Sequence, residues 1–429
     1  MRGLTALVLN EAEEPMRNPP HPNPLPRIRV VTFENRLRGR GDIRETSDNL
    51  ISDRAKYNLR QTLMHPVRIR LNAGQPITSR RRFLSNTLGA MTTVGLMQRI
   101  APAADDEPNE LNQKIDASIR RALSWLASEQ QASGAWTTSD FGDSTATTAL
   151  AIMSFLAGGH VPEEGPYGQH MTRGVGWLLS QQLDNGLLVG KERSHGPMYS
   201  HGIATLMLAE IYGMVDPTQS ERCREVLQRA IKLIVDAQNH PKSAEHDGGW
   251  RYQPTSGDSD LSVTAWQLLA LRAAKDIGCD VPAENIDRAI AYIRRLHVKH
   301  DGGFGYMVGH GSSITRSGTG IVALEVCGEH RTQETLAAAK LILTRPLTNG
   351  EPYFYYGAYY CTVGMFKVGG DEWRQSRESL YRTILGLQHP SGYWNPEDGT
   401  ERQAGKVYST SLAVLALAIE YGYLPIYQR

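Results

Sequence analysis

The body of the sequence is built from six copies of one phrase, and this repetition limits the fold more than any other feature. Each copy has a mixed polar and apolar helix pattern, a loop with glycine and an aromatic residue, and a more apolar helix pattern. One copy reads "AIKLIVDAQ", "DGGWRY" and "SVTAWQLLALRAA". The loop aromatics or their equivalents recur roughly every 40 to 63 residues, a spacing typical of helical-hairpin repeats.

The two helices of each copy differ in polarity. First helices such as "AIAYIRRLHVKH" have one apolar stripe, whereas second helices such as "TSLAVLALAIEYG" are apolar nearly all round and must be buried on both faces. The first and last apolar helices are as apolar as the middle ones, although an open solenoid needs polar caps at its ends. We therefore predict an all-α fold, a closed (α/α)6 toroid of six hairpins over residues 110–429.

Charge divides the chain into a basic leader and an acidic body. The formal net charge is +1, but residues 1–82 contain 16 Lys and Arg against 8 Asp and Glu, and residues 105–429 contain 29 against 37. An acidic body without a basic patch between aromatic residues is a poor match for nucleic acid. The sequence thus predicts no nucleic-acid partner.

Residues 79–104, "SRRRFLSNTLGAMTTVGLMQRIAPAA", combine basic, apolar and small-residue segments in that order. This order resembles a twin-arginine export signal, and the apolar run is too short to span a bilayer. We predict a periplasmic or otherwise exported protein whose signal is cleaved or kept as an anchor, and peripheral membrane association stays open. Residues 1–78 include Pro-rich sequence without core-building periodicity. We interpret them as disordered or, if translation begins at Met64, in large part never made.

The four cysteines show no CxxC pairing. They are interpreted as buried small hydrophobes, although some could bridge in an oxidising compartment.

The repeat loops resemble a known family. The segments Gln130…Gly134-Ala135-Trp136, Gln238…Gly249-Trp250 and Gln388…Gly392-Tyr393-Trp394 are similar to the QW repeats of squalene and oxidosqualene cyclases. The hairpins also resemble those of protein prenyltransferase β subunits, which share the α/α toroid. Over residues 110–429 the resemblance implies a toroid that binds an isoprenoid or other apolar small molecule in its central funnel. The repeated Gln, Gly and Trp are structural in that family.

In triterpene cyclases a DxDDTA-type segment supplies the acid that protonates the substrate, and Asp258-Ser259-Asp260-Leu261-Ser262 matches its first two aspartates. The resemblance implies Asp260 as the proton donor and Asp258 as its partner, in an isomerase or lyase. Leu261 and Ser262 depart from the pattern. The alternative is that both aspartates merely cap the following helix.

The starts of the second helices would surround one mouth of the toroid, where polar and aromatic side chains typically form a small-molecule site. Seven residues are predicted to contact substrate there: Asp143, His201, Trp266, Arg316, Tyr356, Tyr359 and Tyr408. Aromatic faces of this kind stabilise cations. The tyrosines could equally be packing residues with wet hydroxyls.

No metal or other cofactor is predicted, because the Asp-x-Cys pair with which prenyltransferases hold zinc has no counterpart in the second helices. Two functions remain open: a terpenoid-cyclase-like enzyme that starts cyclisation by protonation, and a non-catalytic binding or scaffold domain on the same toroid.

Overall fold

The computed structural model describes residues 110–190, 196–397 and 399–428, so the predicted extension (1–78) and signal segment (79–104) lie outside the described residues. Helices dominate these ranges. They are α1 (Glu110–Ser128), α2 (Thr145–Ala157), α3 (Gly168–Leu179), α4 (Pro197–Ile211), α5 (Pro217–Gln238), α6 (Leu261–Asp276), α7 (Ala283–Arg295), α8 (Ile314–Val326), α9 (Gln333–Thr344), α10 (Phe354–Val368), α11 (Gly370–Leu385) and α12 (Gly399–Leu417).

Short antiparallel hairpins and two 3-10 turns complete the fold. Strands β1 (Thr137–Thr138) and β2 (Gly142–Asp143) pair with each other, as do β3 (Phe304–Gly305) and β4 (Ser312–Ser313). The 3-10 turns, Ile419–Tyr421 and Pro425–Tyr427, follow the last helix.

The even-numbered helices form an inner ring. Helices α2, α4, α6, α8, α10 and α12 pack each against the next, and α12 packs against α2, which closes the ring. The odd-numbered helices lie outside and bury one stripe each. Helix α7, for example, buries Ile286, Ala289, Ile290 and Ile293, whereas helix α4 buries almost every residue. The predicted closed α/α toroid is confirmed.

A repeated glutamine joins four of the six hairpins to the next one. Gln388 Nε2 donates to the carbonyl of Gly392 in its own loop and to the carbonyl of Ser118 in α1, both at 2.9 Å. This contact links the last hairpin to the first across the seam of the ring. The same pair of bonds is made by Gln130, Gln182 and Gln238 to a glycine of their own loop and to the next outer helix.

The loop glycine and aromatic residue have equally regular roles. Gly134 has φ +95°, and a Cβ there would lie 2.6 Å from the carbonyl oxygen of Arg173 on the neighbouring outer helix. Glycine is required because it alone combines this conformation with this close approach. The Trp136 indole donates to the Leu126 carbonyl at 2.7 Å and so covers the end of the preceding helix. Trp250 and Trp394 make the corresponding bonds.

The two ends of the toroid differ. All six inner helices begin at one end, which we call the mouth, and the Gln-Gly-aromatic loops surround it. At the far end, the C-terminal turn Pro425–Tyr427 inserts into the ring. Ile426 N donates to the buried carboxylate of Glu210 on α4, and the Tyr427 hydroxyl meets that of Tyr359 on α10. The far end is therefore closed by the chain's own tail.

The cysteines are free thiols; Cys223, Cys279 and Cys361 are buried and Cys327 is partly buried. This agrees with their interpretation as small hydrophobes. Within the described ranges, none of the helices has both the length and the apolar character that crossing a membrane requires.

Candidate functional site

The mouth of the toroid contains a cavity of about 280 Å³. Every inner helix contributes to its wall through residues of its first turns. The lining residues are Thr138, Phe141, Ser144, Ala146, Thr147, Tyr199, Ser200, Ile203, Tyr252, Ser262, Tyr306, Thr315, Arg316, Tyr353, Tyr356, Thr400, Glu401, Gln403, Ala404 and Tyr408. The cavity is thus built where the six inner helices start, as the sequence predicts.

One wall comes from a kink in the last inner helix. Helix α12 is interrupted at Gly405, which has φ 91° and ψ −179°, so residues 399–404 turn across the mouth. This segment places Glu401 in the wall with its side chain buried. Its two oxygens accept the backbone N–H groups of Tyr355 and Tyr356 at 3.1 and 2.9 Å. Glu401 therefore supplies the N-terminal cap of α10, because the side chain of the N-cap residue Tyr353 does not bond to the backbone of that helix.

Aromatic rings form a layer beneath the cavity. Trp266 and Tyr359 are stacked with ring centres 5.9 Å apart, and Tyr360 packs edge-on against both. Trp266, Tyr359 and Tyr360 are almost fully buried. None of them is a lining residue. They separate the cavity from the C-terminal turn that enters from the far end.

The predicted substrate contacts therefore fall into three groups. Arg316, Tyr356 and Tyr408 line the cavity. Trp266 and Tyr359 lie below it in the aromatic layer. The remaining two, Asp143 and His201, lie outside the lining, Asp143 on β2 with its side chain partly exposed.

His201 has a structural position that the sequence did not reveal. Its Nδ1 accepts the backbone N–H of Leu188 at 3.0 Å, and its Nε2 lies 3.2 Å from the Ala230 carbonyl. In four other hairpins a hydroxyl takes the place of this imidazole and accepts the backbone N–H of the loop aromatic residue. These hydroxyls belong to Thr148, Thr264, Thr410 and Ser317. Burial lowers the pKa of His201 to about 4, so the ring is neutral. The ring faces the loop rather than the ligand space.

Asp260 caps α6 and is completely buried. Its Oδ1 accepts the backbone N–H of Val263 at 2.9 Å, so the predicted capping role is present. Its Oδ2 has no hydrogen-bond partner among the described residues and lies 3.6 Å from Nε of Arg251. Burial raises the pKa of Asp260 to about 6, against the lowering effects of the Val263 amide and the Arg251 charge. An appreciable fraction of this carboxyl is thus protonated near neutral pH.

Asp258 lies in a wetter place. Its carboxylate is 3.5 Å from Nη1 of Arg251, and 43% of the side chain is exposed. Arg251 therefore links Asp258 and Asp260, and its guanidinium also lies over the rings of Tyr252 and Tyr306. Neither aspartate lines the cavity, but Tyr252 and Tyr306 do.

Sequence reasoning missed two kinds of lining residue. Tyr252 and Tyr306, whose hydroxyls lie 2.5 Å apart, each follow a Gly-Gly-aromatic-x phrase, "GGWRY" and "GGFGY". This shared signal could have predicted both. Glu401 had no such signal, because its place depends on the turn at Gly405. In the described ranges, no group of three or more His, Cys, Asp or Glu could hold a metal ion.

The closed ring with a mouth cavity places the protein among α/α toroids. No protein-family model matches the chain, and no curated protein matches its sequence. The solved type II terpene cyclase MstE from Scytonema is similar, with a TM-score of 0.50, 15% identity, and coverage of 73% of this chain and 100% of that one.

Two glycoside hydrolases of family 76 are also similar. The α-1,6-mannanase GH76A of Salegentibacter sp. HEL1_6 has a TM-score of 0.54 and 11% identity, with coverage of 72% of this chain and 99% of that one. An enzyme from a bovine Bacteroides thetaiotaomicron strain has a TM-score of 0.51 and 11% identity, with coverage of 72% and 77%. At these identities the comparisons show the fold, and one fold hosts many chemistries.

Proposed function

We propose that the protein binds an isoprenoid or similarly apolar small molecule in its mouth cavity. The observation that carries the proposal is the wall of the cavity. The aromatic residues Phe141, Tyr199, Tyr306 and Tyr356 line it above the layer that contains Trp266 and Tyr359. Concave sites with aromatic walls and a few polar groups are typical of small-molecule binding. The tail closes the far end, so a ligand enters from the mouth. The sequence resemblance to squalene cyclases and prenyltransferases points to the same ligand class.

The lining favours this ligand over a glycoside substrate. Glycoside hydrolysis generally uses two carboxyl groups that flank the scissile bond. Among the described residues, Glu401 is the one Asp or Glu that lines the cavity, and both its oxygens cap α10. The toroid shared with the family 76 enzymes is therefore no argument that this protein hydrolyses glycosides.

A blocking substitution tests binding. Ala146 lines the cavity, so Ala146→Phe should fill part of it and weaken the binding of geraniol, an isoprenoid alcohol, at least about tenfold, the effect of roughly 1.4 kcal/mol. The matched control is Ala132→Phe in an exposed loop, which should leave affinity unchanged. Dissociation constants are measured by calorimetry on the full chain. Equal affinity in the two variants would contradict binding in this cavity.

A second candidate function adds protonation-initiated cyclisation. The supporting observation is Asp260, a buried carboxyl with raised pKa, one of whose oxygens has no partner at hydrogen-bonding distance among the described residues. Tyr306 interacts with this carboxyl and lines the cavity, so its hydroxyl could pass the proton to an alkene of the ligand. The resulting carbocation would close a ring and lose a proton from an adjacent carbon back to the carboxylate, a net isomerisation.

Product analysis separates catalysis from simple binding. The full chain is incubated with isoprenoid alcohols, and the extract is analysed by gas chromatography and mass spectrometry. Catalysis predicts a cyclised isomer from the native protein and none from Asp260→Asn, which should still bind the alcohol. The non-catalytic alternative predicts unchanged alcohol with both proteins.

Export belongs to the proposal as well. The arginine-rich segment 79–104 supports secretion by the twin-arginine route, with the toroid acting outside the cytoplasm. The substitution of Arg80, Arg81 and Arg82 by Lys should retain the protein in the cytoplasmic fraction. Unchanged export of this variant would refute the route.

A further inference from the structure

Arg316 stands out among the described residues because it places an arginine charge in the wall of the cavity. It lies in the first turn of α8 and lines the cavity, and one of its nitrogens, Nη2, donates to the Gly311 carbonyl at 3.2 Å. Its Nε is buried and has no hydrogen-bond partner within the part of the chain that the structure describes. Among the described residues, it is the one Lys or Arg that lines the cavity, and no Asp or Glu forms an ion pair with it.

The surroundings make this charge unfavourable. Burial lowers the pKa of Arg316, which shows that the site disfavours the cation. A cation in the first turn also opposes the helix dipole, whose positive end is there. The other five inner helices point their positive ends at the same mouth. A site that collects uncompensated positive charge in this way is stabilised when an anion enters.

Among the described residues one acidic side chain, Glu401, lines the cavity, and it does not neutralise the Arg316 charge. Glu401 directs both carboxylate oxygens to the backbone N–H groups of Tyr355 and Tyr356. The groups that do act on the Arg316 charge are the phenols of Tyr356, Tyr306 and Tyr353, none of which is a carboxylate.

From this arrangement we propose that the ligand of the mouth cavity is a monoanion, an apolar molecule whose carboxylate is held by Arg316. The inference rests on the proposed binding function and specifies the head group. A single guanidinium fork matches one carboxylate, since Arg binds planar carboxylates through two parallel N–H groups. A diphosphate would bring several negative charges, and neither a second lining cation nor a metal-binding cluster occurs among the described residues to match them.

The cavity volume sets the size of the ligand. A space of about 280 Å³ lies near the lower end of the roughly 300–1,000 Å³ that small-molecule pockets span. A ten-carbon isoprenoid acid is close to this size, with its tail against Tyr199, Phe141 and Ile203 and its head towards Arg316. Longer tails would have to extend out of the mouth.

A head-group series tests the proposal. Geranic acid, geraniol and geranyl phosphate share one tail and differ in charge, and their dissociation constants are measured by calorimetry on the full chain at pH 7.5. We expect the acid to bind at least about tenfold more tightly than the alcohol, the advantage of one charge-assisted hydrogen bond. Arg316→Gln should abolish that advantage, so that the acid and the alcohol bind this variant with equal affinity. Arg316→Lys should retain part of it, and the exposed control Arg382→Gln should change nothing.

The outcomes are distinct. Equal binding of acid and alcohol, or an acid affinity that survives Arg316→Gln, would overturn the anionic ligand and leave cavity binding intact. If geranyl phosphate bound tenfold more tightly than geranic acid, the proposed carboxylate head group would be wrong. Failure of every probe to bind would overturn the proposed function itself. A misfolded variant is recognised by its melting temperature, and Arg316→Gln should melt no lower than the native protein because it removes an unfavourable charge.

Discussion

The buried carboxyl of Asp260 gives the sharpest prediction about stability. In Asp260→Asn the amide oxygen can still accept the Val263 N–H, because asparagine is as good an N-cap as aspartate. Arg251 also keeps its partner Asp258. The substitution therefore removes the buried negative charge together with its contact to Arg251, and preserves the helix cap. We expect the variant to be more stable than the native protein at neutral pH.

The size of the gain follows from the pKa. Asp260 has a pKa of about 6 when folded against a reference value of 3.8. A folded-state pKa above the unfolded one means that stability is full below the lower value and is lost as pH rises through the higher one. A difference of about two units at 1.36 kcal/mol each corresponds to about 3 kcal/mol. Asp260→Asn should recover this amount above pH 6 and nothing near pH 4.

Urea unfolding followed by circular dichroism between pH 4 and 8 measures the difference, provided the m-values agree. Asp236→Asn is the matched control, since Asp236 is exposed in an i,i+4 pair with Lys232 and should change stability by less than about 0.5 kcal/mol. A variant less stable than the native protein at pH 7.5 would refute the reasoning. It would show that Asp260 works as a charged cap.

Three further predictions concern the ring itself. Gly134→Ala should cost several kcal/mol more than Gly142→Ala, because both glycines have positive φ but only Gly134 meets a neighbouring carbonyl; urea unfolding compares them. His201→Gln should lessen acid destabilisation: with its folded pKa lowered to about 4 from 6.5, His201 loses its stabilising contribution, about 3 kcal/mol, as pH falls through that window. Thermal unfolding of both proteins from pH 7 to 4 checks this, and parallel curves would contradict it. Tyr427→Ala should destabilise by about 3 kcal/mol or more by emptying the far end, whereas Tyr427→Phe should cost about 1 kcal/mol for its contact with Tyr359. Equal melting temperatures for the two Tyr427 variants would show that the tail does not close the ring.

The sequence predicted the architecture because the repeat is a local signal. Each Gln-Gly-Trp loop specifies its own turn: the glycine permits a left-handed backbone and the indole covers a helix end, as at Gly134 and Trp136. The polarity difference between the two helices of a hairpin then fixes which one lies inside. Closure was predicted because the first and last inner helices are as apolar as the middle ones. In the structure, the hydrogen bond from Gln388 to the Ser118 carbonyl joins the last hairpin to the first.

The sequence predicted that the site lies at the starts of the inner helices, but not which side chains there face the cavity. Arg316, Tyr356 and Tyr408 do line the cavity, whereas His201 turns towards a loop and Trp266 lies beneath the cavity. An inner helix is apolar nearly all round and has no amphipathic stripe to show which residues face the centre. Its rotation is set by packing against two inner neighbours and one outer helix.

The sequence by itself therefore determined the hairpins, their number and their order around the ring, because these depend on periodicity and turn chemistry within short segments. Only the tertiary structure decided which side chains meet at the mouth, and it alone placed Glu401 in the wall and the Tyr427 ring beneath it. These contacts join residues far apart in sequence. Their geometry depends on how the twelve helices of the described ranges share one core.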